Sequence, residues 1–174
     1  PRIFDATILS DLRQGTAFFA STCVIGIGGV LALIGNAEQL VGVAAELSTE
    51  QLPTIIYEMK LALVALLLTI AFLRFVWSNR LFGYCAVVMA AVPNDISHPE
   101  TYPRAAQAGE LNIRAAWNFN RALRTMYFAL AALAWLLGPL ALTLAAFGTL
   151  WILWSREFRS HPREILLSLP STKP

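Results

Sequence analysis

Residues 125–154 run for 30 residues without a charged side chain, and this stretch constrains the fold more than any other. As one straight helix it would be about 45 Å long, which exceeds a hydrocarbon core of about 30 Å unless it tilts strongly. Gly138 and Pro139 fall in its middle. Proline removes a backbone donor and collides with the preceding turn. The pattern therefore predicts two helices joined tightly at Gly138–Pro139, over 117–137 and 140–156. A single kinked helix is the alternative.

The remaining composition agrees. Hydrophobic residues make up 57% of the 174-residue chain, charged residues only 14%, and the mean hydropathy is +0.59. About a quarter of an ordinary soluble domain is charged. The apolar residues are also grouped in blocks, so the predicted class is all-α, a polytopic transmembrane helical bundle with four spans. The first span is 15–35, uncharged and rich in small residues. Gly26, Gly28 and Gly29 on it are candidate helix-contact positions, because helices in lipid associate through close backbone approach. The second span is 57–77. The apolar run over 81–92 is only 12 residues long, which predicts an interfacial or re-entrant helix, or one buried against the bundle. Pro93 stops it, a proline-rich polar loop follows, and a helix restarts near Pro103.

Charge placement orients the bundle. The segment between the second and third spans and the carboxy-terminal tail are rich in arginine, whereas the 36–58 loop has Glu38, Glu46, Glu50 and Glu58 and no basic residue. The expected topology puts 36–58 outside and 78–116 and the tail in the cytoplasm, as in a bacterial inner membrane. Within 36–58 a short amphipathic helix fits 38–47, and Ser48 with Gln51 resembles a capping box.

The approach to the third span, "NIRAAWNFNRALRTMYF" at 112–128, is unusually polar. On a 3.6-residue helix, Asn112, Ala116, Phe119, Leu123, Met126 and Leu130 form one mostly apolar stripe. Arg114, Asn118, Arg121 and Thr125 form a second stripe, and Trp117, Asn120, Arg124 and Tyr127 a third. Positive-inside anchoring with an aromatic belt accounts for the arginines and Trp117. The asparagines need partners near hydrocarbon. Arg114, Asn118, Asn120, Arg121 and Arg124 are therefore read as a polar network at the inner interface. Arg74 and Arg80 are candidates for docking lipid headgroups or a partner.

Other chemistry finds little support in the sequence. Cys23 and Cys85 sit in apolar surroundings without a paired-cysteine motif and read as buried thiols. His98 and His161 each precede a proline, and neither falls in a span, so no metal, haem or other cofactor is expected. The "NDISHP" segment brings Asp95, Ser97 and His98 together in sequence, which keeps a membrane-bound enzyme using the 94–104 loop as a minor alternative. The glycines of "GIGG" lie within a span and lack the context of a phosphate loop. No basic stripe suggests nucleic acid. The span centres carry no ionisable residue of the kind proton-coupled transport requires.

Three long segments carry a family resemblance: "GTAFFASTCVIGIGGVLALIG", "RLFGYCAVVMAAVP" and "NFNRALRTMYFALAALAWLLGP". They resemble domain of unknown function 599 (DUF599), a family of bacterial membrane proteins with plant relatives. The resemblance implies an integral membrane protein without an established activity, substrate or cofactor. It draws attention to Arg80, Gly83, Pro93, Asn118, Phe119, Asn120, Arg121 and Arg124 without supplying a role for them. It also implies a further apolar span ahead of residues 1–13, making five, with the amino terminus outside. The function expected from all of this is non-catalytic: an accessory, assembly or scaffolding subunit in contact with lipids and with a membrane protein partner or further copies of itself. The alternative is a small homo-oligomeric channel or transporter.

Overall fold

The computed structural model describes residues 3–39, 41–42 and 52–158. Four long helices and one short 3-10 turn lie among them: α1 (Ile3–Gly35), α2 (Thr54–Ala90), α3 (Thr101–Leu133), the 3-10 turn Ala134–Leu137, and α4 (Pro139–Phe158). No strand occurs among the described residues. With 33, 37 and 33 residues, the first three helices are each about 50–55 Å long at 1.5 Å per residue. α1 and α2 each contain an 18-residue stretch of mean hydropathy 2.2, of which only 11% and 33% is buried within the protein. Both are long and apolar enough to cross a membrane, and their apolar side chains mostly face away from the protein core. This is consistent with a membrane protein.

A seven-residue repeat holds α1, α2 and α3 together. On α1 the buried positions are Leu9, Thr16, Cys23 and Val30. On α3 a column of Ala108, Ala115, Ala122 and Ala129 is buried at the same spacing. On α2, which lies between them, the seam runs through Tyr57, Leu61, Val64, Leu68, Ala71, Phe75, Ser78, Phe82 and Cys85 in alternating steps of four and three. A repeat averaging 3.5 residues drifts around a straight 3.6-residue helix, so helices that keep it wrap around one another left-handedly.

The contacts stack in layers. Val30, Val64 and Ala129 share the upper cluster, Cys23, Ala71 and Ala122 the middle one, and Leu9, Cys85 and Ala108 the lower one. Each layer lies seven residues from the next on all three helices, or fourteen where Thr16, Ser78 and Ala115 intervene. The numbering rises on α1 and α3 where it falls on α2, so α2 is antiparallel to both.

Alanine lets α2 and α3 come close enough for side chains to reach across to main chain. The Ser78 hydroxyl donates to the Ala115 carbonyl at 2.7 Å, and the Cys85 thiol to the Ala108 carbonyl at 3.2 Å. Both bonds are buried, and they repeat seven residues apart on each helix. Cys23 and Cys85 are buried free thiols, as the sequence predicts.

Two expectations change here. The apolar run over 81–92 is not a separate interfacial or re-entrant helix, because α2 continues unbroken from the predicted 57–77 span through to Ala90. Ser78, Asn79 and Arg80 are polar, but no glycine or proline interrupts them, and the seam continues through Leu81, Phe82 and Cys85 against Leu9, Ala108 and Ala115. Burial against the bundle, one of the options above, describes this segment. The face of α3 also differs. Phe119, Leu123 and Met126 of the predicted apolar stripe pack against the middle cluster, but Asn112, Ala116 and Leu130 are exposed, and the fully buried positions are those of the alanine column. The stripe keeps the same alternating four-and-three spacing as the seam but is centred to one side of it, because alanine contributes little to a hydrophobicity count.

The predicted join is present. α3 ends in the 3-10 turn, Gly138 takes φ 122°, and Pro139 opens α4. Glycine adopts this left-handed backbone without a Cβ clash, and proline suits the first helical position because its missing donor would be unpaired there anyway. α4 has no buried residue. Its Leu140, Leu144, Phe147 and Trp151 are exposed. Residues 37–39 and 41–42 are helical. The rest of the short helix expected at 38–47 lies outside the described residues, as do Ser48, Gln51, His161 and the carboxy-terminal tail beyond Phe158.

Candidate functional site

One cluster of polar side chains lies where α3 and α4 meet beside an aromatic floor. Phe19 of α1 stacks on Phe75 of α2 with ring centroids 5.6 Å apart and planes 15° apart. Phe119 of α3 meets both edge-on, at 5.7 Å from Phe19 and 5.5 Å from Phe75. Edge-to-face contacts align the positive rim of one ring with the negative face of another. Phe75 is fully buried.

Above this floor a groove of about 590 Å³ opens between α3 and α4, with Phe19, Leu123 and Leu153 on its apolar side and Asn120, Arg124, Tyr127, Arg156 and Glu157 on its polar side. Arg124 forms an ion pair with Glu157 across the two helices. The Arg156 guanidinium donates to the Tyr127 hydroxyl at 3.4 Å. Both members of the ion pair are 40% exposed or more, a setting in which such a pair contributes only about 0.2–1 kcal/mol in water. Exclusion of water by lipid would strengthen it.

The predicted inner-interface residues form several local arrangements. Arg114 pairs with Glu110 one turn earlier on α3, and its carbonyl accepts a bond from the Asn118 amide at 2.9 Å. The Arg121 guanidinium lies over the Trp117 ring at 5.3 Å. Only Asn120 and Arg124 of the five line the groove. Arg74 bridges α2 to α3, donating to the Thr125 hydroxyl at 2.6 Å and to the Arg121 carbonyl at 3.5 Å. Arg80 is exposed on α2. Of the glycines, Gly26 faces Leu68, where an added Cβ would come within 3.2 Å of a methyl group, whereas Gly28 and Gly29 face open space.

The 94–104 loop is a turn that binds itself. Asp95 accepts bonds from the Ser97 amide at 2.9 Å and the Ser97 hydroxyl at 2.7 Å. These bonds hold its carboxyl below the usual carboxylate range. His98 Nδ1 accepts from the Glu100 amide at 3.2 Å. The Thr101 hydroxyl donates to the Asp95 carbonyl at 2.7 Å at the start of α3. Among the described residues, no three His, Cys, Asp or Glu side chains gather as they would around a metal ion.

Sequence reasoning missed Lys60. It reads as an interfacial charge at the end of a span, yet it is 95% buried: its exposure is 5%. Its ammonium donates to the Trp135 carbonyl at 3.1 Å and lies over the rings of Tyr57 and Trp135, at 4.9 and 5.4 Å. A cation over two aromatic faces at the carbonyl end of a helix is favoured by ring quadrupole and helix dipole together. Tyr57 three residues earlier on the same helix face was the available signal; Trp135, 75 residues away, was not. Lys60→Met keeps the volume and removes the charge. It is expected to cost about 1–2 kcal/mol, read as a lowered melting temperature against exposed Met59→Ala. Equal values would deny Lys60 this role.

No curated protein and no solved structure matches the chain. The pattern of the family described as "Protein of unknown function, DUF599" matches residues 1–162, nearly the whole of a chain in which the three resembling segments lie in the later part of α1, at the end of α2, and in the later part of α3 with its turn into α4. The protein belongs to the DUF599 family.

Proposed function

We propose that this protein is a non-catalytic integral membrane protein, an accessory or scaffolding subunit beside a larger membrane complex. In this reading four helical segments cross a bacterial inner membrane, with 36–58 outside and 78–116 and the tail in the cytoplasm. One contrast carries it. The polar groups between helices are spent on the bundle itself: Ser78, Cys85 and Arg74 bond α3, and the Asn79 amide bonds the Arg13 carbonyl at 2.9 Å. The outer faces of α1 and α4 are left apolar and uncovered, with Phe18, Ile25 and Leu31 on one and Leu144, Phe147 and Trp151 on the other. Lipid tails would solvate these faces, and the Gly28–Gly29 step would let a partner helix approach closely.

Purification from native membranes in a mild detergent, followed by native mass spectrometry, tests the proposal. A stoichiometric foreign membrane protein is expected. Gly29→Leu should release it while the bundle stays folded, because Gly29 faces open space. Gly26→Leu should instead disturb the bundle through Leu68. A closed homo-oligomer without a foreign protein would overturn the accessory role. It would favour the second reading, a small homo-oligomeric channel or transporter. The exposed Asn112, Asn120 and Arg121 on α3 support that reading, since copies meeting there would give a polar vestibule. Asn118→Leu or Arg121→Leu should then change conductance in liposomes.

A further inference from the structure

The groove between α3 and α4 joins two surfaces that one amphiphile would satisfy together. Its apolar side is Phe19, Leu123 and Leu153. Its polar side carries two guanidiniums and one carboxylate, an excess of one positive charge. Arg124 is held by Glu157. Arg156 has no carboxylate within ion-pair distance among the described residues, and only the Tyr127 hydroxyl faces it, at 3.4 Å. A guanidinium with free donors beside an apolar wall is complementary to a phosphate attached to an acyl chain.

The position of the groove favours a lipid over a free anion. Arg124 is the last charge before the uncharged run of 125–154, and Arg156 is the first charge after it. On α3 and α4 the groove therefore sits at the edge of the apolar band. On α1 the facing residue, Phe19, is already inside the uncharged 15–35 run. Headgroup chemistry and chain chemistry thus meet at one height. A free phosphate would lose hydration there with nothing to fill the apolar half.

We propose that this groove binds one anionic phospholipid, with its phosphate on Arg156 and its chain along Phe19, Leu123 and Leu153. Glu157 sets the affinity by acting as an internal competitor for Arg124. The proposal rests on the membrane reading above.

The test uses the full chain reconstituted into phosphatidylcholine vesicles containing a minor fraction of phosphatidylglycerol. Release into neutral detergent and native mass spectrometry then count the lipids that stay bound. One phosphatidylglycerol is expected to be retained in preference to phosphatidylcholine, and excess inorganic phosphate should leave that retention unchanged. Arg156→Gln should reduce the preference about tenfold, the scale of one charge-assisted hydrogen bond. Glu157→Gln should raise it severalfold by freeing Arg124. A purely structural ion pair would give no gain, so this variant decides even if Arg156→Gln folds poorly. Equal retention of both lipids by the unsubstituted protein, displacement by inorganic phosphate, or an unchanged or reduced preference in Glu157→Gln each overturns the proposal. A chain that does not insert into the vesicles overturns the membrane reading and this one with it, whereas insertion without a lipid preference overturns this one alone.

Discussion

Ala115→Leu is expected to break the bundle where Ala116→Leu, one residue away, leaves it intact. Ala115 is fully buried in the alanine column, and its carbonyl accepts the Ser78 hydroxyl at 2.7 Å. Ala116 is exposed. A leucine at 115 would force α2 and α3 apart where the Ser78 hydroxyl reaches the α3 main chain. Overpacking a filled core costs about 1–3 kcal/mol, and loss of the buried bond adds about 1 kcal/mol. Against a total stability of about 5–15 kcal/mol, the expected result is a large drop in melting temperature and loss of the monodisperse species in detergent. The exposed neighbour should stay within about 0.5 kcal/mol. Similar melting curves for the two variants would mean that the seven-residue seam is wrongly assigned.

The second large effect is expected at Phe75. It is fully buried and makes ring contacts with Phe19 on α1 and Phe119 on α3. Phe→Ala in a core costs about 3–5 kcal/mol. In lipid the transfer contribution fades, because hydrocarbon tails are as apolar as the side chain, so lost packing dominates. A value near the lower end, about 3 kcal/mol, is expected on this ground. The variant also has a local readout. Cys23 shares the Phe75 cluster and is 1% exposed, whereas Cys85 belongs to the lower cluster. Phe75→Ala should open Cys23 to maleimide labelling while Cys85 stays protected. The exposed Phe147→Ala should open neither. Equal labelling of both cysteines in Phe75→Ala would mean that the whole bundle loosens and that Phe75 anchors no particular layer.

The two effects test different kinds of legibility. Phe75 stands out in any reading of the sequence as a large apolar residue in an apolar run, yet its partners are 56 and 44 positions away. Those pairings depend on register, which residue spacing within one helix does not encode. Ala115 does not stand out at all. Alanine is common, weakly hydrophobic and a good helix former, so the column at 108, 115, 122 and 129 is overlooked beside arginines and tryptophans. Its importance comes from what it lacks, which is volume between two helices.

The candidate site divides similarly. Arg124 and Asn120 are visible as polar residues at the mouth of an apolar block, and both line the groove. Glu157 and Arg156 are visible only as the end of another block. Their meeting with Arg124 and Tyr127 follows from the turn at Gly138, which folds α4 back along α3. Arg74 reads as an interfacial charge, and its bond from α2 to α3 is not legible in the sequence, because it depends on Thr125 facing it in the antiparallel register.

That this protein is helical, apolar and broken at Gly138–Pro139 is legible in its residues alone. Those properties depend on local backbone preference and on hydrophobic content summed over a window, and both are written in consecutive residues. The tertiary arrangement makes 81–92 a continuation of α2, sets an alanine column between α2 and α3, encloses Lys60 with two aromatic rings, and brings Arg124 and Arg156 into one groove. These features come from antiparallel register and close helix approach, and each depends on residues from helices far apart in the chain.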